Sequence, residues 1–461
     1  MKANSLIRKT KRKKLKAGKE TDSGGKSISN LPEEVLEYIV SFLPIHEAIR
    51  TSILSKKWQN LWKSTPNLSF DGRDSPKRKL FMDFVERVLV LRGPSNIEKF
   101  RLSCEAKDDQ SRIGTWISAA VNRNVKDVCL VLSDFESSFV FPRCLFNCKT
   151  LTEFEIDMLF ILKLPSSISL PCLKILSLRQ VTFIDDQSTQ QLFSLPNLVE
   201  LEIYECNWKN LVWVTICAPK LQQLAIYESL ESTPANSGGC HVRIFRTHLA
   251  QFSCCGTLWN EFCLDESSVV ETFIFLNSDG DRPRETACRS YKLLQGISSV
   301  KTLNITIDVV DVLDHASDLL AFPLEFRNLT SLIFESDELN LHSAGFWHII
   351  YNSPNLRSLY FSDVGLSEVP SNCREDGTLD PAPRCFLSCL RFIEVCNFLG
   401  GEEAIDAVGF LLKNATALDV MSICWAGPGV MTNKIRRQLL DLPGWSKNRQ
   451  DQFWLTIFWS F

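Results

Sequence analysis

A chain of 461 residues with 45% hydrophobic side chains carries ample material for a folded core, which excludes global disorder. Net charge is only −3, yet the first 20 residues hold nine Lys or Arg against the single Glu20, leaving −11 for everything after them. An acidic body is built the wrong way round for neutralising phosphates, so nucleic acid is an unexpected partner, and no apolar run approaches the roughly 18 residues needed to cross a bilayer.

Residues 1–27 have almost no large apolar side chains and end in Ser23-Gly24-Gly25-Lys26-Ser27, the composition of a flexible basic tail. The run Arg8-Lys9-Thr10-Lys11-Arg12-Lys13-Lys14 fits a nuclear-import signal and equally a solvating tail, so nucleus, cytoplasm or both is the expected location. Gly24 to Ser27 imitates the end of a phosphate-binding loop, but Glu20 stands where the motif needs its first glycine.

Residues 28–75 form a separate block. Pro32, Glu33 and Glu34 suit a helix start, because proline has no amide hydrogen to lose there and carboxylates favour the positive end of the dipole. Val35, Leu36, Ile39, Val40 and Leu43 recur at helical spacing until Pro44 ends the run. A second amphipathic stretch covers His46 to about Leu54, and a third covers Ser55 to Trp62, where Trp58, Leu61 and Trp62 share a face. Three helices in so few residues bury too little surface to be very stable alone.

The segments Ile28-Ser29-Asn30-Leu31-Pro32-Glu33-Glu34-Val35-Leu36, Ser41-Phe42-Leu43-Pro44 and Arg50 to Trp62 together resemble an F-box, in the version found in plant F-box proteins with leucine-rich repeats. The resemblance implies docking on a Skp-type adaptor and, through it, on a cullin. By position it implies adaptor contacts at Leu31, Pro32, Leu36, Ile39, Leu43, Pro44, Ile49, Leu54 and Trp58, while Val35 and Val40 suit the module's own core.

Over residues 76–372 an apolar residue is repeatedly followed three and five positions later by two more. Starts fall at Ile97, Val125, Leu151, Leu173, Leu198, Leu221, Leu249, Val270, Val300, Leu329 and Leu356, and further on at Leu390 and Leu418. A proline two positions ahead marks four of them: Pro171, Pro196, Pro219 and Pro354. The pattern reads as leucine-rich repeats: short strands whose i+3 and i+5 side chains enter a shared core, stacked into a curved parallel sheet backed by helices or loops. The expected fold is therefore α/β, a three-helix F-box followed by a solenoid.

The face opposite that core carries Glu153, Glu155 and Asp157, then Glu200, Glu202 and Tyr204, then Gln223 and Tyr227, and further along Ser358 and Tyr360. Acidic groups interleaved with tyrosine suit a basic or polar protein target, with Glu153, Glu155, Glu200, Glu202, Tyr204, Tyr227 and Tyr360 as candidate contacts; ordinary solvated strand polarity is the alternative.

The last block, residues 373–461, opens with a polar loop around Asp376 to Pro383. It continues through Cys385 to Val395, Asn397 to Gly400, an expected helix from Ala404 to Ala415, and Leu439-Leu440-Asp441-Leu442-Pro443. It resembles the FBD domain that follows the repeats in many plant F-box proteins, although Gly444-Trp445-Ser446 departs from that pattern. The resemblance implies further repeat-like units capping the solenoid, whose exposed end is otherwise a sticky edge.

Chemistry-bearing constellations are missing. The 17 cysteines are irregularly spaced and no apolar signal segment stands near the basic N-terminus, so buried free thiols in a reducing compartment are expected. The triplets at Asn67, Asn304, Asn328 and Asn414 then carry no glycan. Cys144 with Cys148, and Cys385 with Cys389, lack a second pair or a histidine to close a zinc site, and the six histidines are scattered. No catalytic residue, metal or cofactor is expected. The reading that results is a non-catalytic substrate receptor of an SCF-type ubiquitin ligase, with an interaction scaffold uncoupled from degradation as the alternative.

Overall fold

The computed structural model describes residues 28, 31–73, 78–106, 109–133, 139–229, 238–277, 282–316, 318–335, 338–362, 365–367, 377–427, 431–442 and, for the backbone alone, 454–459. The basic tail with Arg8 to Lys14, the imitation phosphate loop and Gly444-Trp445-Ser446 lie outside the described residues. Two compact units meet at one break, Met1–Thr65 and Pro66–Phe461. No helix among the described residues is long and apolar enough to cross a membrane.

In the first unit, helix α1 spans Glu33–Ser41 with Pro32 as its N-cap and Glu33 and Glu34 in the first turn, as the proline and acidic residues dictate. Pro44 caps the second helix, α2 (Ile45–Arg50), which passes into a 3₁₀ turn over Thr51–Ile53. The third helix expected from Ser55 to Trp62 does not form. Hydrogen-bonded turns run through Ser55–Gln59, and only Leu61–Ser64 closes as a 3₁₀ turn. At the end of α2 the Thr51 hydroxyl donates to the Ala48 carbonyl at 2.7 Å. The shared face survives the loss of the helix, because Trp58, Leu61 and Trp62 are all buried together with Leu36, Val40, Ile45 and Ala48.

The second unit is built from parallel strands: β1 (Asn67–Asp71), β2 (Lys99–Glu105), β3 (Asp127–Ser133), β4 (Glu153–Asp157), β5 (Ile175–Arg179), β6 (Glu200–Tyr204) and β7 (Trp213–Ile216). They continue with β8 (Gln223–Tyr227), β9 (His241–Phe245), β10 (His248–Gly256), β11 (Glu261–Asp265), β12 (Ser268–Leu276), β13 (Thr302–Thr306) and β14 (Ser331–Glu335). The remainder are β15 (Glu338–Asn340), β16 (Ser358–Ser362), β17 (Gly365–Ser367), β18 (Phe392–Phe398), β19 (Val420–Trp425) and β20 (Trp454–Trp459). Fifteen of these, among the described residues, form one open sheet in the order β1-β2-β3-β4-β5-β6-β8-β10-β12-β13-β14-β16-β18-β19-β20.

Equivalent repeat positions pair across neighbouring strands, so that Leu176, Leu201 and Leu224 stand in one row and Leu178, Ile203 and Ile226 in the next. Each row buries side chains that a single strand leaves wet. The prolines ahead of four starts have a local cause. Pro171, Pro196, Pro219 and Pro354 each occupy the second position of a turn in which the N–H of Leu173, Leu198, Leu221 or Leu356 bonds the carbonyl three residues earlier.

Nearly every expected start is a buried residue two positions ahead of a strand, but one frame is displaced. Val270 is exposed; Val269 is the buried start, paired with Leu249, while Thr272 and Ile274 occupy the core rows beside Phe252 and Cys254. Phe273 and Phe275 therefore face the other way. Two strands of the large sheet also lie beyond the starts found in the sequence: β1, which joins it from within residues 28–75, and β20 at the opposite edge.

Helices α3 (Arg78–Leu91), α4 (Gln110–Val121), α5 (Asp186–Phe193), α6 (Pro283–Gly296) and α7 (Ile307–Asp314) back the core rows. They are followed by α8 (Ala344–Tyr351), α9 (Arg384–Ser388), α10 (Glu402–Asn414) and α11 (Asn433–Leu440). In the middle of the array a second parallel sheet, β11-β9-β7, takes this backing position, and α5 packs on β7 and α6 on β11.

Beneath the long strands β10 and β12 lies a buried polar knot. The Glu228 carboxylate accepts from the backbone N–H groups of Trp259 (2.9 Å) and Asn260 (2.8 Å) and from the Asn260 amide (2.8 Å). Arg289 donates to the carbonyls of Leu258, Trp259 and Gly238, and the Asn260 side chain accepts from the N–H of Cys240. Gly256 has a φ of +142°, and a β-carbon there would sit 2.5 Å from the Glu228 Cβ, so glycine is required twice over.

Candidate functional site

Two surfaces offer binding chemistry, one on each unit. On the first, the chain ahead of α1, α1 with its C-cap, and the segment after α2 expose Ile28, Val35, Tyr38, Ile39, Phe42, Ile53 and Leu54, with Ile53 at 88% and Leu54 at 62%. So dense an apolar display on so small a unit exceeds what solvent exposure of scattered side chains explains. Tyr38 and Phe42 stack edge to face at 4.7 Å, one turn apart on the exposed side of α1.

The residues expected to touch an adaptor divide by placement. Pro32, Ile39, Pro44 and Leu54 are exposed, and Leu31, Leu43 and Ile49 are half-buried. Leu36 at 1% and Trp58 at 4% exposure are enclosed by the unit's own side chains. Val35, expected in the core, is exposed, whereas Val40 is buried. The difference follows from helix phase: Leu36 and Val40, four apart, face inward, and Val35 and Ile39 form the adjoining outer stripe. Sequence reasoning passed over Tyr38, Phe42 and Ile53, which complete that stripe and were legible only as apolar residues out of phase with the core.

On the second unit the candidate site is the open face of the sheet, opposite the core rows. Register places Glu153, Ile175, Glu200 and Gln223 in one row, Glu155, Ser177, Glu202 and Ala225 in the next, and Asp157, Arg179, Tyr204 and Tyr227 in the third. Six of the seven target-facing candidates are thereby brought together. Tyr360 is not among them: β16 lies five strand spacings from β8, about 24 Å away.

The organising side chain is Arg179, which sequence reasoning did not single out. Its guanidinium lies 3.2 Å from both carboxylate oxygens of Glu202 and 3.8 Å from Glu155, and it stacks over the Tyr204 ring at 5.3 Å. The Ser177 hydroxyl donates to Glu202 at 2.8 Å. Partial burial pushes the Asp157 carboxyl above its ordinary pKa against the opposing pull of Arg179. At the flank, Lys99 donates to Asp127 at 2.9 Å, a bond that raises the lysine's pKa.

The third row continues as an apolar strip. Tyr204 and Tyr227 lie 5.4 Å apart, Tyr227 pairs with Cys255 and Cys255 with Phe275, which stacks on Phe273 at 6.5 Å. Burial raises the pKa of Tyr227, and it pushes the Cys255 thiol up to about 11. Both groups are neutral at physiological pH and act as contact surface. A carboxylate-rich patch beside a strip of aromatic rings suits a cationic, partly apolar protein segment.

The described cysteines form no disulfide, and burial pushes the thiols of Cys104, Cys206 and Cys385 up to about 12, which makes them poor nucleophiles.

Three family descriptions match stretches of the chain: the F-box domain over residues 28–70, the LRR repeats of the FBD-associated F-box protein At5g56370 over 113–233, and FBD over 380–423. The FBD stretch runs from the loop before α9 into β19 and continues the sheet. Among curated relatives from Arabidopsis thaliana, the F-box protein At3g59000 is 30% identical over 443 residues, 86% of this chain and 86% of its own length. The F-box/LRR-repeat protein At4g14096 is 32% identical over 419 residues, again 86% of each chain. The F-box/FBD/LRR-repeat protein At5g56420 is 26% identical over 408 residues, 85% of this chain and 89% of its own. The matched domains are interaction modules, and the chain belongs to the F-box/leucine-rich-repeat/FBD proteins, a family of substrate-adaptor type.

Proposed function

We propose that this protein is the substrate-recognition subunit of an SCF-type ubiquitin ligase, with the first unit docked on a Skp-type adaptor and the open face of the sheet holding a target protein. The observation that carries the reading is the apolar stripe of the first unit, from Ile28 through Ile39 and Phe42 to Ile53 and Leu54, displayed on an F-box too small to cover it. A partner that covers it gains on the order of 1.5–3 kcal/mol for each large side chain fully buried, enough to hold a complex and complete the module. The ligase role is tethering: a target bound on the repeats is held at high local concentration near a ubiquitin donor, and no catalytic group is required of this chain.

The acidic and aromatic face from Glu153 to Phe275 supports a target presenting lysine or arginine beside apolar side chains. The run Arg8 to Lys14 supports nuclear import, with the cytoplasm as the site of synthesis and residual presence.

The test compares the partners of the intact protein with those of a Leu31→Ala, Pro32→Ala variant by proximity labelling in cells. Adaptor and cullin are expected to disappear from the variant while target proteins persist. An intact protein that captures no Skp-type adaptor overturns the proposal, and capture of adaptor without cullin replaces it with a scaffold role.

A further inference from the structure

Near the C-terminal edge of the sheet, β18 and β19 pair in parallel with Glu394 opposite Ser422 and Val395 opposite Ile423, and then the register shifts so that Phe398 meets Trp425. Three steps along β18 answer two along β19, which inserts one extra residue, and Asn397 takes it up with a φ of +58°. The bulge leaves Cys396 on the same side as Glu394, facing Cys424. The two sulfurs and a Glu394 carboxylate oxygen all lie within 4.8 Å of one another, and all three residues are half-buried. Cys424 Sγ is 3.8 Å from Glu394 Oε1, and the Ser422 hydroxyl donates to that same oxygen at 3.2 Å.

We propose that Glu394, Cys396 and Cys424 form a binding site for zinc or a similarly thiophilic divalent ion. A tetrahedral zinc ion with thiolate bonds of about 2.3 Å and a carboxylate bond of about 2.1 Å separates two sulfurs by roughly 3.8 Å and a sulfur from an oxygen by roughly 3.6 Å. Cys424 Sγ and Glu394 Oε1, 3.8 Å apart, already match that spacing, and Cys396 Sγ, within 4.8 Å of both, needs to move in by about 1 Å. Two thiolates and a carboxylate select zinc over magnesium or calcium, whose ligands are oxygen atoms.

Binding releases one proton from each thiol to solvent, and the resulting three negative charges are compensated to a net −1 by the ion. The Ser422 hydroxyl orients the carboxylate from outside the coordination sphere. Among the described residues three protein ligands are assembled, and the fourth position is left to water. The ion would clip β18 to β19 where the bulge interrupts their ladder. The site is independent of adaptor docking and stands whether or not the ligase role does.

The test is a cobalt titration of the full chain, stripped of metal by a chelator and kept under a metal-neutral reductant so that Cys396 and Cys424 cannot oxidise to a disulfide. Expected is one equivalent of Co²⁺ giving thiolate-to-cobalt charge-transfer absorption and the intense visible bands of tetrahedral coordination, both abolished by added Zn²⁺. Cys396→Ser and Cys424→Ser are each expected to weaken binding at least tenfold, Glu394→Gln severalfold, and Cys172→Ser, an exposed thiol elsewhere, not at all. Should a serine variant fail to fold, as read by circular dichroism, Glu394→Gln decides alone. Absence of the thiolate band, or its persistence unchanged in the folded variants, overturns the proposal.

Discussion

The guanidinium of Arg179 on β5 lies 3.2 Å from both carboxylate oxygens of Glu202 on β6 and 3.8 Å from Glu155 on β4. Because Arg179 is more than a third exposed, water screens the pair and its own contribution is about 0.5–1 kcal/mol. Its larger effect is on the field around it. Arg179→Ala removes the attraction that opposes the burial-driven rise of Asp157's pKa, so that carboxyl should titrate at still higher pH. A carbon-detected NMR titration of the Asp157 carboxyl checks the shift, and a double-mutant cycle with Glu202→Gln in urea checks the coupling; a downward shift contradicts the arrangement.

Thr272 occupies a core row of β12, beside Phe252 of β10 and Leu303 of β13, fully buried and with its hydroxyl lacking a hydrogen-bond partner. Thr272→Val keeps the shape and the β-branch while removing an unsatisfied polar group. It should stabilise the second unit by about 1 kcal/mol, seen as a higher urea midpoint at unchanged slope. Destabilisation would mean that the hydroxyl has a partner, and that the frame of β12 is other than described.

That same threonine explains where the sequence misleads. Val270, Phe273 and Phe275 match the apolar spacing better than Val269, Thr272 and Ile274, so pattern alone selects the wrong face; pairing with Leu249, Phe252 and Cys254 overrides it. The turns at Pro171, Pro196, Pro219 and Pro354 are legible because proline acts locally. β1 is not, since its start is the polar Thr65. The placement of Arg179 against Glu202, and of Cys396 against Cys424, depends on strands a full repeat apart in the chain, and only register reveals it.

Packing and contact can be separated within the first unit. Leu36 is enclosed, so Leu36→Ala should cost about 2–5 kcal/mol and unfold a module with little stability to lose. Leu54→Asp alters an exposed side chain and should change stability by less than about 0.5 kcal/mol while abolishing adaptor binding. Hydrogen exchange over residues 33–64 of the full chain reads the first effect, and calorimetric titration with adaptor reads the second. If Leu54→Asp binds as tightly as the unaltered protein, the exposed stripe is not the docking surface.

Glu228 makes the second unit's stability depend on pH. Burial raises its carboxyl pKa above the ordinary 4.5, despite the opposing hydrogen bonds from Asn260 and Trp259 and the charge of Arg289. The folded state then holds the proton more tightly than the unfolded chain. This contribution is fully present below about pH 4.5 and is lost as pH rises through the raised folded value. Against the acid-side loss caused by other carboxylates, Glu228→Gln should remove this downward component, so the stability of the variant relative to the native chain improves as pH rises from about 4.5 towards neutrality. Glu228→Ala instead strands two backbone N–H groups and the Asn260 amide, costing about 3–5 kcal/mol. Urea unfolding of the native chain and the Gln variant across this pH range separates the two effects, and a difference between them that stays constant with pH would place the Glu228 pKa at its ordinary value.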